Sequence, residues 1–213
     1  MKLQDEKNPE ACLKMLLEGN ERYTAGTPQA HDFQERIANT AGGQSPSAVI
    51  LSCIDSRVPV EQVFDVSVGD VFSVRVAGNI SGTKSLGSIE YAVGVSGVQL
   101  VMVLGHTRCG AATAAVEAVV AGENPSVVNE CVHLPSIIDG FKPVATPESL
   151  SGYAGSEAGD KAAIVDEIAK QNVIHTCNTL ISKSPVISRL LSEGTIQVIG
   201  AMYDVASGKV TLV

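Results

Sequence analysis

The chain is 213 residues long, 45% apolar, carries a formal charge of −8 and has five cysteines. That length and apolar share predict one ordinary domain over residues 1–213, while the acidic balance and the lack of a long Lys/Arg cluster exclude a nucleic-acid surface, which depends on phosphate neutralisation. No apolar run is long enough to cross a bilayer and the charged, Pro9-interrupted start is unlike a signal peptide, so a soluble protein is expected; the odd, sparse cysteines point to a reducing, cytoplasmic compartment, although a leader already removed would leave no trace.

Leu13, Leu16 and Leu17 recur at helical spacing within Pro9 to Gly19, and Phe33 to Ala41 repeats the pattern weakly. Residues 1–45 therefore read as an N-terminal helical arm whose apolar stripe needs a partner. Ala48 to Ser52 is a short, uncharged, β-branched-rich run of the kind that forms a strand covered on both faces. A second strand is expected over Val71 to Val76 after the Gly69-Asp70 turn, then a helix over Ser85 to Val95, then another buried strand over Gln99 to Leu104. The alanine-rich segment Ala111 to Ala121 predicts a helix that stops at Gly122 to Pro125. Ser126 to Gly140 favours no single state, and Phe141 to Gly159 reads as a Pro/Ser/Gly loop. Lys161 to Ile181 predicts a long helix, Pro185 to Glu193 a further one, and Thr195 to Tyr203 a last buried strand, with Lys209 to Val213 pairing after the Ser207-Gly208 turn. The fold class expected is α/β: a mainly parallel central sheet flanked by helices, with the N-terminal arm and a C-terminal antiparallel edge strand.

Two segments stand where apolar strands stop: Cys53-Ile54-Asp55-Ser56-Arg57 and His106-Thr107-Arg108-Cys109-Gly110. Open parallel sheets bind ligands at the carboxyl ends of their strands, so neighbouring strands would bring Cys53 together with His106 and Cys109. Two thiolates and an imidazole suit zinc in a catalytic site, which takes three protein ligands and leaves a fourth position to water or substrate. Asp55, two residues beyond Cys53, points to the same side of an extended segment, and Arg57, two further on, can hold its carboxylate in a fork. Two states are open: Asp55 ligates the metal and closes the site, or it pairs with Arg57 and leaves the site accessible.

CIDSRV at Cys53 to Val58, GDVFSVRVAGN at Gly69 to Asn79, EYAV at Glu90 to Val93, GHTRCGA at Gly105 to Ala111 and YDVASGKV at Tyr203 to Val210 resemble, in order and spacing, the β-class carbonic anhydrases. The resemblance covers nearly the full chain. It implies one zinc ion per subunit on Cys53, His106 and Cys109, with Asp55 and Arg57 as the catalytic gating dyad. The activity implied is reversible hydration of carbon dioxide to bicarbonate and a proton by zinc-bound hydroxide. Gln44, nine residues before Cys53, matches the active-site glutamine of the plant-type subclass, whose amide would hydrogen-bond the substrate. The Gly110 backbone N–H, at a helix start, would suit an anion. Phe72, Ala77 and Tyr91 fall at positions that line the family's substrate pocket. The chain has no tryptophan, so the bacterial subclass's inhibitory bicarbonate site lacks that residue and an open metal site is expected at neutral pH. Ile54 stands where the family commonly has serine, and Val76 where it often has asparagine. His31, His133, His175 and Tyr91 are the groups among which a proton relay would be sought. The family's habit further implies a dimer, or dimers paired into a tetramer, with pockets at the subunit interface and no membrane or nucleic-acid partner.

Rival readings exist. GNISGTKS at Gly78 to Ser85 nearly matches a phosphate-binding P-loop, but Thr83 replaces the glycine before the lysine, and the later strand ends in Gly-His rather than an acidic magnesium ligand. The main alternative is hydrolysis of carbonyl sulfide or carbon disulfide on the same zinc, against which CIDSRV and Gln44 favour carbon dioxide. A Cys109-His106 thiol nucleophile without metal is a third. Cys12, Cys131 and Cys177 fit no such pattern and read as core or surface thiols.

Overall fold

The uncharged strands expected to be covered on both faces lie side by side in a computed structural model that describes residues 8–122 and 130–213; residues 126–129 of the ambiguous stretch fall outside it. β1 (Ala48–Ser52) pairs in parallel with β2 (Val71–Arg75) on one side and β3 (Leu100–His106) on the other. β4 (Gln197–Tyr203) runs parallel to β3, and β5 (Val210–Leu212) pairs antiparallel with β4, giving the order β2-β1-β3-β4-β5. The mainly parallel sheet with an antiparallel C-terminal edge is the one expected from the sequence.

Every residue of β1 and β3 is buried. Val49, Leu51, Val101 and Val103 meet one apolar cluster, whereas Ala48, Ile50, Leu100, Met102 and Leu104 meet another. Both sides of the strand are thus core, which is why no alternation is visible in the sequence. The second cluster is covered by α1 (Pro9–Ala25) and the short α3 (Val60–Val63), with α2 (Phe33–Thr40) more peripheral. The first is covered by α4 (Thr83–Gly94), α5 (Gly110–Ala121), α6 (Leu134–Asp139), α7 (Ala158–Lys183) and α8 (Pro185–Ser192). None of the helices among the described residues is long and apolar enough to cross a membrane.

The arm departs from expectation in length. The helical spacing in the sequence spans Pro9 to Gly19, yet α1 continues to Ala25 and ends at Gly26, whose φ of 69° is the left-handed C-cap conformation. Gly19 is there for close approach: a Cβ on it would lie 1.9 Å from the Phe64 carbonyl oxygen. Pro9, which interrupts the charged start, occupies the first helical turn, and the Asn8 side chain caps it by accepting from the Glu10 N–H at 2.8 Å. The short α3 escaped the sequence reading. α4 starts at Thr83, two residues before the expected Ser85, and α7 extends the expected helix at both ends.

One buried side chain ties the arm to the far end of the chain. Asn20 donates through Nδ2 to the carbonyls of Val63 (3.0 Å) and Gly208 (2.8 Å), and its Oδ1 accepts from the Val210 N–H (2.8 Å). Truncation would leave three backbone groups without this partner, two of the bonds buried and the one to Gly208 partly so. Asn20→Ala is expected to cost about 2–4 kcal/mol. A urea transition should show a lower midpoint with an unchanged slope, whereas Asn39→Ala, on the exposed α2, should stay within about 0.5 kcal/mol of wild type.

Candidate metal centre

The register of β1 on β3 places Ser52 level with Leu104. Cys53 follows immediately on the first strand and His106 ends the second, so their side chains leave the sheet at the same edge. Arg108, at a left-handed φ of 55°, turns the chain back so that Cys109 becomes the N-cap residue of α5. The donor atoms of Cys53, His106 and Cys109 all lie within 4.8 Å of one another, and all three residues are buried.

Hydrogen bonding decides which imidazole nitrogen is offered. His106 Nδ1 lies 2.9 Å from the Thr107 carbonyl oxygen, which can only accept, so Nδ1 carries the hydrogen and Nε2 keeps a lone pair. Nε2 is buried without a hydrogen-bond partner among the described residues. A buried acceptor beside two sulfurs is what a soft divalent metal would satisfy, so the donor set fits zinc. The sulfurs divide one proton. Donation from Cys109 lowers the Cys53 thiol from 9.0 to about 4 against the opposing effect of burial, with His106 and the Asp55 and Gly78 N–H groups adding to the fall. The same bond, with burial, pushes Cys109 far above its ordinary value. Burial pulls His106 down, but the negative charge of the nearby Cys53 sulfur, the Thr107 carbonyl and the Asp55 carboxylate leave it raised overall.

Glycine is needed beside the sulfur. Gly78 donates its N–H to Cys53 Sγ at 3.3 Å from a left-handed φ of 68°, and a Cβ there would lie 2.6 Å from the Phe141 ring. The same N–H would be wanted by a phosphate in the P-loop reading, and here it faces sulfur.

Asp55 takes the second of the two states open to it. Arg57 grips its carboxylate as a fork, Nε to Oδ1 at 2.9 Å and a terminal nitrogen to Oδ2 at 2.7 Å, while the Arg57 backbone N–H adds a third bond to Oδ1. These bonds hold the Asp55 carboxyl at about 2 despite partial burial. Oδ2 still stands 3.9 Å from His106 Nε2, at the mouth of the donor set. Arg57 also donates to the Arg108 carbonyl (3.2 Å), which joins the two ligand-bearing loops.

Of the residues singled out in the sequence, Cys53, His106, Cys109, Asp55 and Arg57 come together, Gly110 opens α5 beside Cys109, and Ala77 adjoins Gly78. Gln44, Phe72 and Tyr91 do not join them within this chain. Phe72 is level with Val49, four residues short of Cys53 and so roughly 13 Å back along the sheet. Tyr91 packs edge-on against Phe72, with centroids 6.3 Å apart, and Gln44 is exposed ahead of β1. Two contributors went unassigned in the sequence. Arg75 braces the Cys53 loop by donating to the carbonyls of Cys53 (3.0 Å) and Asp55 (2.6 Å), and Asp166 accepts the Arg108 N–H at 2.6 Å. Arg75 stands inside a quoted motif, whereas Asp166 is one polar residue of a long helix and carries no local signal.

The family model described as carbonic anhydrase matches residues 48–210. The chain is 39% identical over 210 residues to carbonic anhydrase 2 of Mycobacterium tuberculosis, covering 96% of this chain and 93% of that one. It is 41% identical over 208 residues to the carbonic anhydrase of Mycolicibacterium smegmatis, again covering 96% and 93%. Among solved structures, the β-carbonic anhydrase CafA of Aspergillus fumigatus matches with a TM-score of 0.71 at 26% identity, covering 94% of this chain and 90% of that one. A tetrameric β-carbonic anhydrase from Sordaria macrospora matches in fold with a TM-score of 0.72 at 24% identity, covering 95% and 97%.

The fork between Asp55 and Arg57 makes a measurable prediction. An acid with a depressed folded-state pKa contributes stability above its unfolded value and loses it as pH falls through the folded one, here between 3.8 and about 2. Carboxyl carbon NMR of metal-free protein should show Asp55 titrating near 2, and Arg57→Ala should move it up towards 3.8. An Asp55 signal that ignores the substitution would remove the fork.

Proposed function

Since this chain belongs to the β-class carbonic anhydrases, we propose that Cys53, His106 and Cys109 hold one zinc ion per subunit and that the residues around them carry out hydration. The chain is a carbonic anhydrase, converting carbon dioxide and water reversibly to bicarbonate and a proton. The observation that carries the site assignment is the meeting of three buried soft donors, one of them an unpartnered imidazole nitrogen, at the ends of adjacent parallel strands. The chemistry zinc supplies there is Lewis acidity, which brings deprotonation of water towards neutral pH.

The chain's own groups do the rest. His106 donates its Nδ1 hydrogen to the Thr107 carbonyl and so presents Nε2 in a fixed direction. Asp55, kept anionic and away from the donors by Arg57, accepts a hydrogen bond from the attacking water and orients it. The Gly110 N–H, at the positive end of α5, binds bicarbonate oxygen. Ala77 forms apolar wall beside Cys53.

The remaining pocket residues come from a second copy: the partner subunit's Gln44, Phe72 and Tyr91 complete the pocket. Three observations support this reading. Phe72 lies on β2, the edge strand unpaired on its outer side among the described residues, with Tyr91 of α4 packed against it; Phe33 and Ile37 on α2 are 56% and 52% exposed; and Gln44 lies between that arm and the sheet. The fungal relative of the same fold is tetrameric. We take residues 1–213 as a single domain of this family, with residues 1–45 as an arm that reaches the partner. Gln44 and the lack of tryptophan support the plant-type subclass, and the odd, sparse set of five cysteines, two of them assigned to the metal, supports a reducing, cytoplasmic location.

Metal analysis and stopped-flow hydration on the same samples test the proposal. Wild type should carry one zinc per chain, and Cys53→Ser should lose it together with hydration, by about 100-fold or more, exceeding what loss of a mere ligand-orienting partner causes. Zinc-free active protein would overturn the metal assignment, and negligible hydration beside fast carbonyl sulfide hydrolysis would overturn the substrate. Light scattering at micromolar concentration should give a dimer or tetramer; a monomer would refute the shared pocket.

A further inference from the structure

The turn Ala77–Asn79 is held from two sides. Gly78 donates its N–H to Cys53 Sγ at 3.3 Å, and its carbonyl accepts from Asn172 Nδ2, on α7, at 2.8 Å. Gly78 and Asn172 are 94 residues apart in sequence, and Asn172 is 1% exposed. A carbonyl only accepts, so the amide nitrogen must face Gly78 and the amide oxygen must point away. That oxygen is buried and has no hydrogen-bond partner among the described residues. A buried acceptor left unpaired opposes folding, and an aliphatic side chain of similar volume would pack there without that penalty. Stability alone therefore does not account for an asparagine at this position, whereas its single bond leads directly to the turn beside a ligand sulfur.

We propose that Asn172 is a positioning residue for the Cys53 thiolate: it grips the Gly78 carbonyl, locks the turn, and so keeps the Gly78 N–H aimed at Sγ. The proposal rests on the metal reading given above. A hydrogen bond to a thiolate draws charge off the sulfur, which then donates less to a bound cation. Two thiolates already cancel the formal charge of a divalent ion, so a donor on one of them keeps the ion electrophilic. The turn closes on a backbone hydrogen bond from the Asn79 N–H to the Val76 carbonyl at 2.8 Å, but Gly78 within it has the most permissive backbone of any residue type, so the direction of its own N–H needs further rigidity from outside the turn. Asn172 supplies that rigidity from the middle of a 26-residue helix packed on β3 and β4.

The test uses the full-length protein loaded with cobalt(II) in place of zinc. Wild type is compared with Asn172→Leu and with Leu180→Ala, a buried change eight residues further along α7 that lies outside the hydrogen-bond chain to Cys53. Asn172→Leu should displace the thiolate-to-cobalt charge-transfer band and release metal to a chelator roughly 10- to 100-fold faster, the range typical for losing a ligand's own hydrogen-bond partner. Leu180→Ala should leave the band in place however much it lowers thermal stability. Should Asn172→Leu fail to fold, Asn172→Ser carries the same expectation, since its hydroxyl is too short to reach the Gly78 carbonyl. A band that does not move, with metal release matching Leu180→Ala, overturns the role of Asn172 and leaves the metal reading standing. Wild-type protein that takes up no cobalt at the three donors overturns both.

Discussion

Backbone hydrogen bonds between β1 and β3 hold Ser52 level with Leu104, and the position of every donor at the centre depends on that register. Strand side chains alternate between faces, so a slip of one residue would carry Cys53 to the opposite side of the sheet from the turn that supports it. The register is pinned because both strands are buried on both faces: Val49 and Leu51 fill one core as Ala48 and Ile50 fill the other, and neither set can exchange with its neighbour without a loss of packing. Hydrophobic burial far from the chemistry thus sets the geometry of the chemistry.

Once the donors are placed, a set of polar contacts aims them. Arg75 and Arg57 fasten the Cys53 loop, Thr107 and Asp166 fasten the His106 to Cys109 turn, and the Arg57 bond to the Arg108 carbonyl links the two. Arg57 is largely exposed, and an exposed ion pair contributes little to stability, so its effect is directional: it decides where the Asp55 carboxylate points. Helix α7 reaches the His106 to Cys109 turn through Asp166 at Arg108, and the Ala77–Asn79 turn beside Cys53 through Asn172 at Gly78. A single helix of the covering layer therefore supports each half of the centre.

The legible parts of the chain were those in which chemistry and spacing coincide. Cys53 and the His106-Cys109 pair stand directly after uninterrupted apolar runs, and strand ends in a parallel sheet converge whatever the intervening sequence. Glycines were harder to read. Gly19 ends the helical spacing visible in the sequence but permits the Phe64 carbonyl to approach, and Gly78 sits in a near P-loop but serves a thiol; in both cases the deciding atom belongs to a segment distant in sequence.

Residue type and local order were enough by themselves to point to the α/β class, the three soft donors and Asp55 and Arg57 as the charged residues beside them, because strand period, motif spacing and ligand preference are local properties. Tertiary structure alone decided that Asp55 faces Arg57 rather than the donors, that Nε2 is the free imidazole nitrogen, and that Gln44, Phe72 and Tyr91 stand apart from the sulfurs of their own chain. Those outcomes depend on which backbone groups arrive from elsewhere, such as the Arg108 carbonyl, the Asn172 amide and the strand paired at a given level. Such partners are brought together by packing, and nothing in the neighbouring residues encodes them.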